Sequence, residues 1–419
     1  MKKLKLLTLA FLLSVAFPQR ILIPMDLTQS DHLKAYGIAF WVLQKNVEVE
    51  WLLNYRGGSF LTDRHEETIR KLKLAGVSYD LVGTAEQLSI YGEIENNNME
   101  MVLLEKAPKI AIYTPPNRQP WDDAVTLALS YAEVEYEMLW DAEVLAGELS
   151  DYDWLHLHHE DFTGQYGKFY KSYHNASWYI EQQAQFEIMA QELGFPSVQD
   201  EKKAVARAIK KYVAEGGFLF AMCSATDSFD IALAAENADI AESVYDHTGA
   251  DPDAQQKLDF AKSLAFQNFT LIPDPLTYEH SNIDFPPGNA PGRLAGAEAD
   301  YFTLFEFSAK YDPVPTMLTQ NHVNVVKGFM GQTTGFLRGT IKPHIVILGE
   351  VDDAQQVKYI HGNFGKGTFT FYGGHDPEDY RHMVGDPPTN LNIHRNSPGY
   401  RLILNNILFP AAKKKEQKT

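Results

Sequence analysis

The sequence predicts an α/β protein built on a parallel sheet with helices on both faces. Three observations predict it. Short apolar runs alternate with helix-period segments along most of the chain, the pattern of strands joined by helical crossovers. The run FLFAMC, residues 218 to 223, is apolar on both faces, as an interior parallel strand is. Hydrophobic residues make up 45% of the 419, enough for a packed core rather than a disordered or fibrous chain.

The first segment, MKKLKLLTLAFLLSVAFPQR, stands apart from this pattern. Lys2, Lys3 and Lys5 form a positive start, and Leu6 to Phe17 form an apolar stretch too short to span a bilayer as a helix. Ser14-Val15-Ala16 supplies small residues for cleavage. Residues 1–17 are therefore expected to be a secretory signal peptide, and the protein to be exported. No later run approaches ~20 apolar residues, so no transmembrane segment is expected in the mature chain.

An N-terminal α/β unit follows, over residues 18–107. QRILIPMD is a strand candidate, and SDHLKAYGIAFWVLQKN a helix with Ser30 or Asp31 as its cap. VEVEWLL alternates like a strand, NYRGGSF turns, and DRHEETIRKLKLAG is a helix closed by Gly76. VSYDLVG is a further strand; the polar run EIENNNME is expected to be an exposed loop. This alternation, too, points to parallel strands.

A second series occupies residues 108–410. KIAIYTP is a strand, and WDDAVTLALSYAE a helix with Asp122 and Asp123 near its positive end. VEYEMLWD and YDWLHLHHEDF are strands; EKKAVARAIKKYVAEGG has helical periodicity and a glycine stop. FLFAMC, HIVILGEV and GTFTFYGG are later strands, and GYRLILNNILF closes the series as a helix. Two insertions interrupt it, the aromatic-rich residues 164–200 and the Pro/Gly-punctuated residues 236–340. In an open α/β sheet such insertions cover the edge where ligands bind. Residues 411–419 form a basic tail.

Charge and motifs exclude some functions. The formal net charge is −18, and −21 once the three lysines of the signal segment are removed, so a nucleic-acid backbone is repelled. Neither GxGxxG nor GxxxxGK[ST] occurs, so nucleotide binding has no motif support. A single cysteine, Cys223, excludes an intramolecular disulfide; in an exported protein an unpaired thiol is either sheltered or chemically employed.

Ligands bind outside the carboxyl ends of parallel strands. WLHLHH delivers His158, His159, Glu160 and Asp161 there; FLFAMC delivers Cys223; TFTFYGG delivers His375, Asp376 and Glu378. Cys223 precedes a helix-like segment, whose N-terminus would lower the thiol pKa and supply N–H groups to an oxyanion. The nucleophile-elbow positions that favour glycine are Ala221 and Ala225. His375, after Gly373 and Gly374, can act as base to Cys223, with Asp376 or Glu378 orienting its ring. A packing role for the same residues is a buried strand-end cysteine and loop-capping polar side chains. His156 and His158 share one strand face, with His159 on the other. A zinc-type metal set drawn from His158, His159, Asp161 and His375, with His382 as a further donor, is an alternative. Arg56, before Gly57 and Gly58, is a candidate anion contact.

From Lys109 to Phe409 the order of elements, with FLFAMCSA, YGGHDPEDY and the closing helix YRLILNNILF, resembles the class I glutamine amidotransferase-like superfamily, close to its ThuA-like branch. The resemblance implies a flavodoxin-like fold, with Cys223 as nucleophile and His375 as base. The amidotransferase pattern is His-Pro-Glu; Glu378 stands one place further on, as in the His-Asp/Thr-Pro-Glu loop of ThuA-like relatives. Over its whole length the chain, with QRILIPMDLTQSDHLKAYGIAFWVLQ, WLLNYRGGSF and QPWDDAVTLALSYAE, is similar to a bacteroidete family of exported proteins commonly labelled asparagine synthetase B. That family implies a periplasmic location. The label's chemistry is not expected: Lys2 stands where such synthetases carry a cysteine, and a Ser-Gly-Gly-x-Asp-Ser loop is absent.

Three functions are therefore open. One is a cofactor-free Cys-His hydrolase acting on an amide or ester of a small polar or glycan-derived ligand. Another is a metal-dependent hydrolase at the His158/His159/Asp161/His375 edge. The third is a non-catalytic envelope module that binds sugars or a partner through its aromatic insertions.

Overall fold

The computed structural model describes residues 19–116, 123–285, 301–306, 308–311, 321–327, 333–351, 355–379 and 386–412. The expected signal peptide, His382 and residues 413–419 of the basic tail lie outside the described residues.

The N-terminal unit contains β1 (Arg20–Ile23), α1 (His32–Gln44), β2 (Val49–Leu53), β3 (Ser59–Asp63), α2 (Glu66–Ala75), β4 (Asp80–Val82), α3 (Thr84–Asn96) and β5 (Glu100–Leu104). Its sheet has the order β4-β1-β3-β2-β5, and every pairing is antiparallel. The expectation of parallel strands in this unit is thus corrected. The cause is the turn after β2, where Asn54, Arg56, Gly57 and Gly58 all adopt positive φ. The chain reverses there, and β3 returns beside β2 with Phe60 opposite Trp51. The polar run after residue 92 is corrected as well: α3 continues to Asn96, and β5 starts at Glu100. Asp31, not Ser30, caps α1, its side chain accepting from the Lys34 N–H at 2.9 Å.

The second unit begins with β6 (Ile110–Tyr113), α4 (Ala124–Ala132), β7 (Glu137–Leu139), α5 (Asp141–Ala146) and β8 (Trp154–Leu157). It continues through α6 (Tyr170–Tyr173), α7 (Ser177–Glu192), α8 (Val198–Glu215), β9 (Phe218–Met222), α9 (Ser224–Ala234), α10 (Ser243–Asp246) and α11 (Ala254–Lys257). The later strands are β10 (Tyr301–Leu304), β11 (Val325–Lys327), β12 (Phe336–Leu337), β13 (Val346–Glu350), β14 (Gln356–Phe364) and β15 (Gly367–Tyr372). The helix α12 (Pro398–Leu408) closes the series.

This second sheet is mixed. β7-β6-β8-β9-β15 run parallel, and β14, β13, β10 and β11 continue the sheet antiparallel beyond β15. Numbered within the parallel series, the order is 2-1-3-4-5, so the connection reverses direction between β6 and β8. The insertion at 236–340 is more than a cover, because it contributes β10 and β11 to the sheet edge.

Helices cover both faces of the parallel strands. Ile110, Ile112, Trp154, Phe218, Phe220 and Tyr372 join one core cluster; Ala111, Tyr113, Leu155, Leu219, Ala221 and Phe371 join another. That period of two is the pleat of strands buried on both sides. The first cluster also holds Ile21, Trp51 and Phe60 of the N-terminal sheet together with α1, α4 and α12, so a single core unites the two units. In the insertion at 164–200, Tyr166 and Tyr179 are buried in a small cluster of their own with Tyr245, Phe169 and Trp178 packed in. Most of these rings make local structure. No helix among the described residues is long and apolar enough to cross a membrane.

Candidate functional site

β8, β9 and β15 are parallel neighbours, in a register that opposes Leu157 to Ala221 and Met222 to Tyr372. The next residues of each strand, His158, Cys223 and Gly373, therefore leave the sheet at one edge. The convergence expected from the sequence is present.

Cys223 is the junction of β9 and α9, with φ 51° and ψ −138°. A non-glycine residue seldom adopts this backbone, and it costs on the order of 1–3 kcal/mol. The geometry is a strand-to-helix elbow with the thiol at a helix N-terminus. The flanking Ala221 and Ala225, at the positions where the elbow favours glycine, are fully buried. The Cys223 N–H donates to the carbonyls of Gly374 at 3.1 Å and Tyr372 at 3.2 Å, which ties the elbow to the chain that leads into His375. The Thr226 hydroxyl donates to the Cys223 carbonyl at 2.7 Å. The thiol lies under the surface, with Cys223 2% exposed.

Around the elbow stand four imidazoles. The ring of His158 lies 3.7 Å from His159 and 5.8 Å from His375, His159 lies 5.3 Å from His375, and His156 lies 5.6 Å from His158, all edge-on. The loop after β8 is pinned to α9: Ser224 Oγ donates to the His159 carbonyl at 3.0 Å, and Ser228 Oγ to the Glu160 carbonyl at 3.1 Å.

Asp123, anticipated only as a charge near the helix start, is the N-cap of α4 and also faces two of these rings. Its Oδ1 lies 2.9 Å from His158 Nδ1 and 3.3 Å from His156 Nε2. Burial alone would push the carboxyl up; the imidazoles of His156 and His158 outweigh it and hold the group well below the usual range. For His158 burial wins: the imidazole is pushed down even though Asp123 attracts its proton. Glu160 is pushed up to about 7 by burial, against the N–H groups of Glu160 and His158. Among the described residues, Asp123, His156 and His158 are the group close enough to hold one metal ion, with ligand atoms within 4.8 Å of one another.

Other expected site residues do different work. Asp161 accepts from the Thr163 and Gly167 N–H groups at 2.7 and 2.9 Å and faces His280 at 3.4 Å, so it fastens the loop after β8 and does not complete a metal set with His158, His159 and His375. Both oxygens of Asp376 are filled, by the Glu378 and Asp379 N–H groups, by Thr389 Oγ1 at 2.6 Å and by the Tyr400 hydroxyl at 3.1 Å. That removes it as an orienting partner for His375 and makes it an anchor of the loop on α12. Glu378 faces His394 Nδ1 at 3.2 Å. Arg56 lies in the β2–β3 turn of the other sheet, where Asp26 at 2.8 Å and Asp80 at 3.0 Å take its guanidinium, so the anion contact expected of it is already made by carboxylates of the chain.

Beside the imidazoles is an open cleft lined by His159, Glu160, Trp140, Phe169, Phe186 and Lys202 among others. Lys202 was not anticipated. Its ammonium is buried against Asp141 at 2.6 Å and the Tyr113 hydroxyl at 3.0 Å, and lies 3.9 Å over the Trp140 ring.

No protein-family model and no curated protein matches the sequence. Solved structures that match part or most of the chain share 10% identity with it. Two are described as cytoplasmic proteins of Salmonella typhimurium; each is matched over 100% of its length and over 73% of this chain, with TM-scores of 0.34 and 0.36. A third is a catalytic mutant of Gan42B, a GH42 beta-galactosidase from G. stearothermophilus, matched over 29% of its length and 66% of this chain with a TM-score of 0.26.

Proposed function

We propose that the chain is an exported, amidotransferase-like thiol hydrolase acting on an amide or ester of a small polar or glycan-derived ligand. The observation that carries this reading is the backbone of Cys223, φ 51° at a strand-to-helix elbow. Strain of that kind persists where the surrounding structure enforces it, and it serves to present a nucleophile. The 2-1-3-4-5 order of the parallel strands supports a flavodoxin-like core, and the apolar start MKKLKLLTLAFLLSVAF supports export to the periplasm.

In this reading an imidazole of the cluster, assigned to His375, takes the Cys223 proton. The thiolate adds to the substrate carbonyl carbon, forming a C–S bond. The tetrahedral intermediate expels the amine or alkoxide, which takes the proton from the imidazolium. Water, activated by the same imidazole, then cleaves the thioester, releasing the carboxylic acid and restoring the thiol. The cleft beside His159 and Glu160 gives the ligand apolar walls and a few polar contacts, the usual make-up of a small-molecule site.

Iodoacetamide tests the thiol. At about pH 6 Cys223 in the folded chain is expected to alkylate at least ~10-fold faster than a free thiol, because the helix N-terminus and imidazolium keep part of it as thiolate. Hydrolysis of an activated ester should vanish in Cys223→Ala. Alkylation no faster than a free thiol, together with full ester hydrolysis by Cys223→Ala, would overturn the reading.

A further inference from the structure

We infer that Asp123, His156 and His158 form a binding site for one divalent transition-metal ion of the zinc or iron(II) class, set at the β6/β8 switch point beside the thiol.

His156 is fully buried. Its Nδ1 lies 3.1 Å from the Phe220 carbonyl oxygen, which can only accept, so Nδ1 carries the hydrogen. The opposite atom, Nε2, faces Asp123 Oδ1 at 3.3 Å, and an ionised carboxylate also only accepts. Two acceptors held this close in a buried place need a cation between them. A proton is the small candidate. It would give a hydrogen bond, yet Nε2 makes none of normal geometry. A metal ion held by both atoms is the other candidate, and the donor atoms of Asp123, His156 and His158 lie within 4.8 Å of one another.

His158 differs in one respect. It is 2% exposed, its Nδ1 makes a hydrogen bond to the same carboxylate oxygen at 2.9 Å, and its Nε2 is buried without a hydrogen-bond partner. Two imidazoles and a carboxylate suit zinc, or iron(II) in a two-histidine, one-carboxylate set, and three protein ligands leave a position open for substrate or water.

The supporting shell is also in place. Ligating histidines commonly donate their other N–H to a backbone carbonyl, and ligating carboxylates are themselves hydrogen-bonded. His156 meets the first condition through Phe220 of β9. Asp123 meets the second through the Val125 N–H at 2.7 Å and the Thr126 N–H at 3.3 Å, which fix its carboxylate as the cap of α4. His159 and His375 stand next to His158.

The test uses Co2+ alone, added to the metal-stripped full chain. We expect one Co2+ per chain, with ligand-field absorption that Zn2+ abolishes by competition. Asp123→Asn, which keeps the helix cap, and His158→Gln should each weaken uptake at least ~10–100-fold, the loss seen even for supporting residues. Cys223→Ala should leave uptake unchanged while ester hydrolysis is lost, so the cation site and the thiol chemistry can fail separately. Either absence of stoichiometric uptake by the folded wild-type chain or undiminished uptake by both ligand variants overturns the site. A thiolate charge-transfer band that disappears in Cys223→Ala would overturn the three-ligand assignment.

Discussion

Cys223 holds its side chain on a backbone that glycine alone adopts freely, and this has a measurable consequence. In ordinary secondary structure glycine is less stable than alanine by roughly 0.5–1 kcal/mol. At φ 51° the order should reverse, with Cys223→Gly more stable than Cys223→Ala by about 1–2 kcal/mol. Urea unfolding of the two variants measures the difference; an alanine variant of equal or greater stability would show that the elbow stores no strain. The position of this residue at a sheet edge beside His158, His159 and His375 was legible in the sequence, because each follows an apolar strand and strand ends mark the ligand edge. Asp123 was legible only as a helix-start charge. Its second role depends on β6 lying beside β8, which spacing along the chain does not encode. Asp161 and Asp376 show the opposite error: short-range carboxylates next to candidate histidines prefer the backbone N–H groups of their own loops.

At the scale of elements, strand and helix positions in the second unit followed from periodicity, whereas strand direction in the first unit did not. A strand-helix alternation is silent about a hairpin hidden in it, and β3 lay inside what reads as a turn running into a helix. β14 escaped for a different reason. Its sequence, QVKYIHGNF, carries Lys358 and His361, yet both are fully buried: Lys358 donates to the Thr334 carbonyl at 2.9 Å, and His361 Nδ1 lies 3.0 Å from Thr370 Oγ1. Buried polar residues disguised an interior strand. The joint between the units is equally specific. α1 meets α4 at Gly37, where an added Cβ would lie 1.8 Å from the Ala132 carbonyl oxygen. Gly37→Ala gains about 1 kcal/mol of helix propensity. It must also push two helix backbones apart, an overpacking cost of about 1–3 kcal/mol or more. We expect Gly37→Ala to lower stability, and Gly92→Ala in α3, where a Cβ meets nothing within 4 Å, to raise it by up to ~1 kcal/mol. Thermal unfolding of the pair separates contact from propensity; stabilisation by both would mean the α1–α4 contact yields.

At the scale of the whole molecule, buried histidines and buried acids set the response to acid. His32 at the head of α1 stacks on His322 at 4.3 Å, and Arg401 of α12 donates to His322 Nδ1 at 3.2 Å and to the Met25 carbonyl at 2.9 Å, so this seam joins the first unit to the last helix. Burial first, and then the Arg401 charge, pushes His32 down to about 4 and His322 down to about 3. Burial in β14 pushes His361 down to about 3. Each of the three binds a proton in the unfolded chain near its ordinary value of 6.5, well before it does so when folded. Stability from these residues is therefore complete above that value and falls with pH, by up to about 1.4 kcal/mol per pH unit each. Buried acids act in the opposite sense. Burial raises Asp227 to about 6 and Glu160 to about 7 and also raises Asp230 and Glu201, so the folded chain takes up their protons first and gains stability as pH falls toward the ordinary values of 3.8 for the aspartates and 4.5 for the glutamates. Between about pH 6 and 4.5 the two effects largely oppose each other; the glutamates have nothing further to give below about 4.5 and the aspartates below about 3.8, where Asp123 and Asp161, held low by imidazoles in the folded chain, begin to protonate first in the unfolded chain. The expected profile of urea-unfolding free energy is shallow from about pH 6 to 4 and steep below about 4. A slope as steep above about pH 5 as below about 4 would mean that the acids do not hold their protons in the folded chain. A profile that stays flat to about pH 3 would mean that the seam histidines charge without unfolding the joint.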